Sequence, residues 1–394
     1  MTGPGGQIST MGKPFAAALS QHPNAAVATG DVVGRVLEGL GDAETPPDLA
    51  VVFVTPAHAS SMEETVATVN ATLRPAAMLG CAAISVVGGE REVERGPAIS
   101  LWAGRTGPVT PFHLSASNSP DGLAITGWPD SIPDDASALL LIPDPFSFPT
   151  DELLRRLEVD RPGMPIVGGM ASAARAPGGN RLVIDDQVVT AGAVGAFLGP
   201  KVQVTTVVSQ GCRPVGSPFV VTRAEQNIVY ELAGRTAVER LQEVAAALSD
   251  GDRELLAEMV QIGRVIDESK LDFGPGDFLV RQVVGADPNS GALRVGDIME
   301  VGSTAQFQVR DATSADQDLR RMVGGRTAQA ALVFTCNGRG THLFPEPHHD
   351  AEVVSESLGG APVAGMFCAG ELGPIGGQNF MHGFTASVVL LSIG

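Results

Sequence analysis

Three short unbroken apolar runs, Leu49–Val54, Ala138–Ile142 and Ala330–Thr335, have the length of buried strands. Each stops at a turn signal: Pro56, Pro143 with Pro145, and Asn337-Gly338. Each is followed by a segment with helical patterning, at Ser61–Leu73, Thr150–Leu157 and His349–Leu358. Ser60-Ser61 ahead of Glu63-Glu64, and Thr150 ahead of Asp151-Glu152, supply the hydroxyls and acids that a helix start favours. A second short strand then ends at Gly80, Gly168 or Gly365, and a third closes each unit at Ala98–Ala103, Ala193–Leu198 or Phe384–Leu391. The strand-to-glycine interval is similar, although the units themselves are irregularly separated: Val51 to Gly80 is 29 residues, Leu139 to Gly168 is 29, and Leu332 to Gly365 is 33. One β-α-β-loop-β unit therefore occurs three times, around 49–104, 138–200 and 330–394, as duplication within a globular protein.

This pattern predicts a mixed α/β (α+β) protein of two domains, with mixed sheets built from the repeated unit and flanked by helices. Each β-α-β step implies a parallel pair with a right-handed crossover, and ligands of such sheets sit beyond the carboxyl ends of the strands. Those ends carry Gly80-Cys81, Gly168-Gly169, Cys336–Gly340 and Gly365–Gly370. Between the second and third units the pattern changes. Val202–Ser209 alternates as a strand, Gln210–Gly216 reads as a loop, and Phe219–Thr222 and Ile228–Leu232 read as strands. Apolar positions 238, 241, 244, 245 and 248 have helical spacing, and Phe278–Val284 and Leu293–Val295 flank a hairpin signal at 287–291. Thr304–Arg310 reads as a strand, Ala315–Gly324 as a helix, and the Pro-rich stretch Gly104–Pro133 as a surface excursion.

Composition narrows the function. The formal charge is −18, from 44 Asp+Glu against 26 Lys+Arg, and no basic block offers a face for phosphates, which argues against a nucleic-acid partner. No apolar run reaches the roughly 18 residues of a membrane span. Four cysteines without a CxxC are too few for a disulfide scaffold. A cytoplasmic protein with reduced thiols is expected, with no export pattern near Phe15–Leu19.

The 48 glycines are the compositional oddity, and eight of them fall within the 25 residues from Gly359 to Gly383. A glycine-rich loop at a strand end exposes backbone N–H groups and admits a ligand closely, although a tight turn would use the same residues. The segment holds Gly365, Cys368, Gly370, Glu371, Asn379 and His382. Its neighbour in the unit is Cys336-Asn337-Gly338-Arg339-Gly340, so Arg339 and Glu371 are placed to face one cavity. Arg suits a carboxylate and Glu an ammonium, which would fit a small zwitterion; the alternative is that the two pair with each other. The polar cluster His342, Glu346, His348, His349, Asp350 and Glu352 fits no metal-binding spacing. Asp350 or His349 is expected to cap the following helix, and no metal or cofactor is expected. Cys336, with His382 or His349 as base, is the candidate for a thiol-dependent hydrolase or transferase. No GxGxxG, P-loop, GxSxG or HExxH motif supports nucleotide or common hydrolytic chemistry.

Several of these residues together resemble a known family. Cys336-Asn337-Gly338-Arg339-Gly340 resembles the C-x-G-R-G of FIST C domains. Pro362–Gly365 with Gly370-Glu371-Leu372-Gly373-Pro374 resembles the P-x-x-G…G-E-I-G-P of the same domain, with Leu372 where Ile is usual. His382 and Thr385 fall where the family carries a polar pair. Gln210–Gly216, Val221-Thr222 and Val229–Leu232 resemble its mid-chain junction, and a weaker likeness to FIST N domains covers Ala26–Val54 and the neighbourhoods of Gly168 and Gly195. The resemblance implies an N-terminal tail at 1–22, a FIST N-like domain at 23–222 and a FIST C-like domain at 223–394. It also implies a sensory, signal-transduction role of bacterial type, in which a small ligand such as an amino acid is bound and catalysis is not established. With the glycine-rich strand ends read above, the expected ligand-binding residues are Cys336, Asn337, Gly338, Arg339, Gly340, Gly365, Gly370, Glu371, Asn379 and His382. The two domains take up the chain without a separate output domain, so signalling is expected to run through a protein partner.

Overall fold

The computed structural model describes residues 12–42, 44–119, 122–274 and 276–394. The three units share one plan. The first strands, Leu49–Val54, Ala138–Pro143 and Ala330–Cys336, lie parallel to the second strands, Ala77–Ala82, Ile166–Gly169 and Val363–Cys368. The closing strands, Ile99–Gly104, Ala193–Leu198 and Thr385–Ile393, run antiparallel to the first. An earlier strand adds to the outer side of each closing strand: Phe15–Ser20, Val109–Ser119 and Val202–Gln210. Residues 15–20 were expected in a tail and are instead part of the first sheet. The stretch expected as a surface excursion is likewise built into the second sheet, as Val109–Ser119 paired with Gly122–Thr126.

What reads as a loop in each unit is a β-hairpin given to another unit. Val86–Gly88 with Arg91–Val93, from the first unit, extends the third sheet beside Val363–Cys368. Leu182–Ile184 with Gln187–Val189, from the second, extends the first sheet beside Ala77–Ala82. Glu371–Ile375 with Gln378–His382, from the third, extends the second sheet beside Ile166–Gly169. The exchange is cyclic and gives the body a pseudo-threefold arrangement. The recurrent glycines explain themselves in this frame: Gly80, Gly168 and Gly365 pair with Val52, Leu141 and Val333, and a Cβ at each would lie 2.0 Å from that partner's carbonyl oxygen. No side chain fits there.

The inner faces of the three sheets meet in one apolar core, where Val51, Phe53, Leu140, Val194, Phe334 and Val389 are buried together. Phe53 and Phe334, from different units, meet edge to face at 6.1 Å. Truncating Phe334 to Ala would cost about 3–5 kcal/mol. Helices cover the outer faces. Ala25–Leu40 starts at Asn24, whose side chain accepts from the Val27 N–H, and stops at left-handed Gly41; it buries Val32, Val33, Val36 and Leu40 on the first sheet. Ala312–Val323 and His349–Ser357 cover the third sheet in the same way.

Residues 211–310 form an insertion in the third unit. Six of its strands pair in a closed ring, in the order Phe219–Glu225, Ile228–Leu232, Ala292–Val295, Phe278–Asp287, Gln261–Val265 and Thr304–Arg310, and back to the first. Helices Ala237–Ala247 and Asp250–Glu258 bury Val244 and Leu256 against this small barrel. The region read as a loop from Gln210 to Gly216 contains a further strand, Cys212–Pro214. No helix among the described residues is long and apolar enough to cross a membrane.

Candidate functional site

Cys336–Gly340 leaves the carboxyl end of the third unit's first strand, next to the point where the chain enters and leaves the barrel. The Gly211 N–H donates to Phe384 O (2.9 Å), and Asp311 N–H donates to Gly211 O (3.4 Å). A Cβ on Gly211 would come within 3.1 Å of Arg339 Nη1, which places that nitrogen at the seam between body and barrel.

Arg339 is fully buried. Its Nε and Nη2 each donate to Asp350 at 2.7 Å, and its guanidinium lies 5.2 Å over the Phe344 ring. Asp350 also accepts from Thr335 Oγ1 (2.6 Å) and meets His349 Nδ1 at 2.9 Å, while His349 Nε2 meets Asp316. Burial alone would raise the Asp350 carboxyl, but the Arg339 charge and these hydrogen bonds outweigh it and hold Asp350 well below the usual carboxylate range. The expectation that Asp350 or His349 caps a helix is therefore corrected. His348, in a left-handed conformation, precedes the helix without a side-chain cap, and Asp350 serves as the counter-ion of Arg339. The Arg339–Glu371 pairing considered above is also replaced by Arg339–Asp350.

Glu371 begins the exchanged hairpin and is fully buried. Its Oε2 accepts from Thr385 Oγ1 (2.8 Å) and Thr385 N–H (3.2 Å). Burial outweighs these bonds and raises its carboxyl to about 8, so at neutral pH it is mostly protonated. Cys336 is half-buried beside it; burial, then the Glu371 charge, pushes the thiol up to about 12. His382 is opposite Glu371 in the hairpin but gives its Nε2 to Gly373 O (2.9 Å), and burial pulls it down to about 4. Among the described residues no hydrogen bond joins Cys336 to a histidine.

The other expected residues divide in two. Asn337 donates its N–H to Cys368 O (3.0 Å), and Gly338 O accepts from Arg310 Nη2. Gly340 (φ +57°) lies against Glu94, where a Cβ would meet the carboxylate at 2.8 Å. These belong to the seam. Gly365 and Gly370 serve packing, against Val333 and Met170. Asn379 spends its amide on Ile166 N–H and Met164 O, both at 2.8 Å, and so fastens the exchanged hairpin to the second unit.

Sequence reasoning missed the residues that come from elsewhere. Glu94, on the first unit's hairpin segment, accepts from Thr341 N–H (2.9 Å) and Thr341 Oγ1 (2.7 Å). Glu92 accepts from Ala351 N–H (3.1 Å), and burial followed by the Asp350 charge raises it to about 8. Arg310 stacks on Phe384, 5.3 Å from its ring, and Phe384 itself has φ +64°. A bulky residue in that conformation marks local strain of a kind that gathers at functional sites. No local sequence signal connects residues 92, 94 and 310 to Arg339; only the hairpin exchange and the insertion do. A cleft of about 330 Å³ adjoins the seam, lined by Met259, Arg310, His342 and Leu343 among others.

Residues 48–235 match the FIST N domain and residues 237–374 the FIST C domain. The chain belongs to the FIST family. FIST domains are sensory domains associated with signal transduction. Two mycobacterial relatives are similar over almost their whole length. The uncharacterized protein Rv0628c of Mycobacterium tuberculosis H37Rv is 42% identical over 379 residues, 94% of this chain and 98% of that protein. The uncharacterized protein Mb0898c of Mycobacterium bovis is 41% identical over 376 residues, 93% of this chain and 96% of that protein.

Proposed function

We propose that this FIST protein is a sensory protein that binds a small polar molecule, such as a carboxylate or an amino acid, at the seam around Cys336–Gly340 and Glu371, and that it signals through a protein partner. One observation carries the reading. Among the described residues, Arg339 Nη1, Glu371 Oε1, Asn337 Oδ1 and Arg310 Nε are all buried without a hydrogen-bond partner, and all belong to this seam. A buried polar atom left unpaired costs about 1–3 kcal/mol, so four in one place call for an occupant.

The equivalent ends of the other two units are closed. Asp144 in the second accepts from Asn180 Nδ2 (2.8 Å) and Ser147 Oγ (2.6 Å). Thr55 in the first exchanges bonds with the Ala98 backbone. Among the described residues, the unmatched polarity of this strand end is thus not repeated at the equivalent ends of the other two units.

The test is differential scanning fluorimetry of the purified protein against small carboxylates, amides and amino acids, in parallel with Asn337→Ala and Glu371→Met. A ligand that binds the native state raises Tm by an amount that grows with the logarithm of its concentration over Kd, and the shift should shrink in both variants. No shift with any compound, or equal shifts in all three proteins, would overturn the reading.

A further inference from the structure

The charges at the seam do not fall where the sequence motif suggests. Arg339 stands in the motif, yet its charge is already balanced by Asp350 through two 2.7 Å hydrogen bonds. Arg213, nearby on the chain's entry into the barrel, is held by Asp311 (2.7 Å) and Asp252. Arg310 differs from both. Among the described residues it forms no ion pair, its Nη2 is spent on Gly338 O, and its Nε is buried with no partner. It is also the arginine that reaches the open cleft, with Met259, His342 and Leu343 beside it and Glu258 on the wall.

We infer that Arg310, and not Arg339, receives the acidic group of the ligand, and that the ligand is a small organic carboxylate whose remainder is uncharged. This rests on the seam being the ligand site. A guanidinium fixed by stacking on Phe384 and by Gly338 O presents its remaining N–H groups in a set direction, which suits a planar carboxylate. The deeper atoms then serve the uncharged part. Arg339 Nη1 donates to an oxygen, and Asn337 Oδ1 accepts from a hydroxyl or amide. Glu371 Oε2 already takes two bonds from Thr385, so the acid's proton belongs on Oε1, which becomes a second donor. A free amino acid would bring an ammonium into a region whose deep carboxyls are occupied: Asp350 by Arg339, Glu371 by its own proton. Glu258 remains at the cleft wall, and for that reason the zwitterion has its own arm in the test.

The experiment is isothermal titration at low salt of a matched series, propionate, propionamide and alanine with their hydroxylated analogues, into the wild-type protein, Arg310→Gln, Arg310→Lys and Glu371→Met. Binding of carboxylates, weakened about tenfold or more in Arg310→Gln and partly kept in Arg310→Lys, is the expected result. Circular dichroism and Tm of each variant guard against simple unfolding. Carboxylate binding that survives in Arg310→Gln but falls in Glu371→Met overturns the role of Arg310 and leaves the seam as a ligand site. Preference for alanine or propionamide over propionate overturns the ligand class alone. No binding in any arm overturns both this inference and the proposed function.

Discussion

Glu371→Gln removes one ionisable group from a fully buried position with little change of shape. The amide oxygen can still accept both hydrogen bonds from Thr385. In the native protein burial raises this carboxyl from 4.5 to about 8, so the folded state keeps a proton that the unfolded chain has released over that interval. Unfolding therefore releases a proton in this window, and stability falls as pH rises through it. The contribution is complete below the unfolded carboxyl's pKa and gone above the folded one. At about 1.4 kcal/mol for each unit of pKa difference, the native protein loses roughly 3–5 kcal/mol across the window that the Gln variant keeps. Guanidinium denaturation of both proteins from about pH 5 to about pH 9 measures this directly. The free-energy difference should grow in favour of Glu371→Gln and level off near the native carboxyl's pKa. Parallel curves separated by a constant would refute the reasoning, since they would mean that Glu371 is already ionised at neutral pH. Glu92 is raised to about 8 as well, so a residual slope should persist in Glu371→Gln and shrink again in Glu92→Gln.

Other expectations follow from the same contacts. Asp350→Asn leaves the buried Arg339 charge uncompensated and should cost about 3–5 kcal/mol of unfolding free energy, while the double replacement Arg339→Met with Asp350→Leu should recover most of it; a double variant as unstable as the single would contradict the pairing. Gly365→Ala forces a Cβ to within 2.0 Å of Val333 O and should destabilise by about 3 kcal/mol or more. Gly30→Ala, exposed on the first helix with nothing within 4 Å, should stabilise by about 0.5–1 kcal/mol. Thermal denaturation reads both. Because its thiol is pushed up to about 12, Cys336 should alkylate with iodoacetamide more slowly than a free model thiol, as followed by peptide mass spectrometry. A faster reaction would revive a nucleophilic role for Cys336.

The three units were legible because their signal is local. An apolar run, a helix of 3.6-residue period and a glycine under a neighbour's carbonyl all lie within about thirty residues of sequence. The hairpins were not legible, since Val86–Gly88 or Gln187–Val189 is too short for alternation to register, and their partners lie in another unit. The prolines at 108 and 111 made the second unit's outer strand look like a loop. Arg339 and Glu371 were found by their motifs, but their partners were not. Asp350 follows two histidines and reads as a helix cap, whereas its true role depends on Arg339 folding back across the strand end. Glu92 and Glu94 sit in a charged run with no helical or strand period, and Arg310 closes a strand of the insertion. Only the assembled chain brings them to one place.

The most direct measurement of the central claim is a crystal structure of the protein with a bound small molecule, taken from the titration series or retained through purification. The molecule is expected at the seam, with hydrogen bonds to Arg339 Nη1 and to the Glu371 carboxyl. A molecule bound elsewhere, with those two groups bridged by ordered water alone, would contradict it.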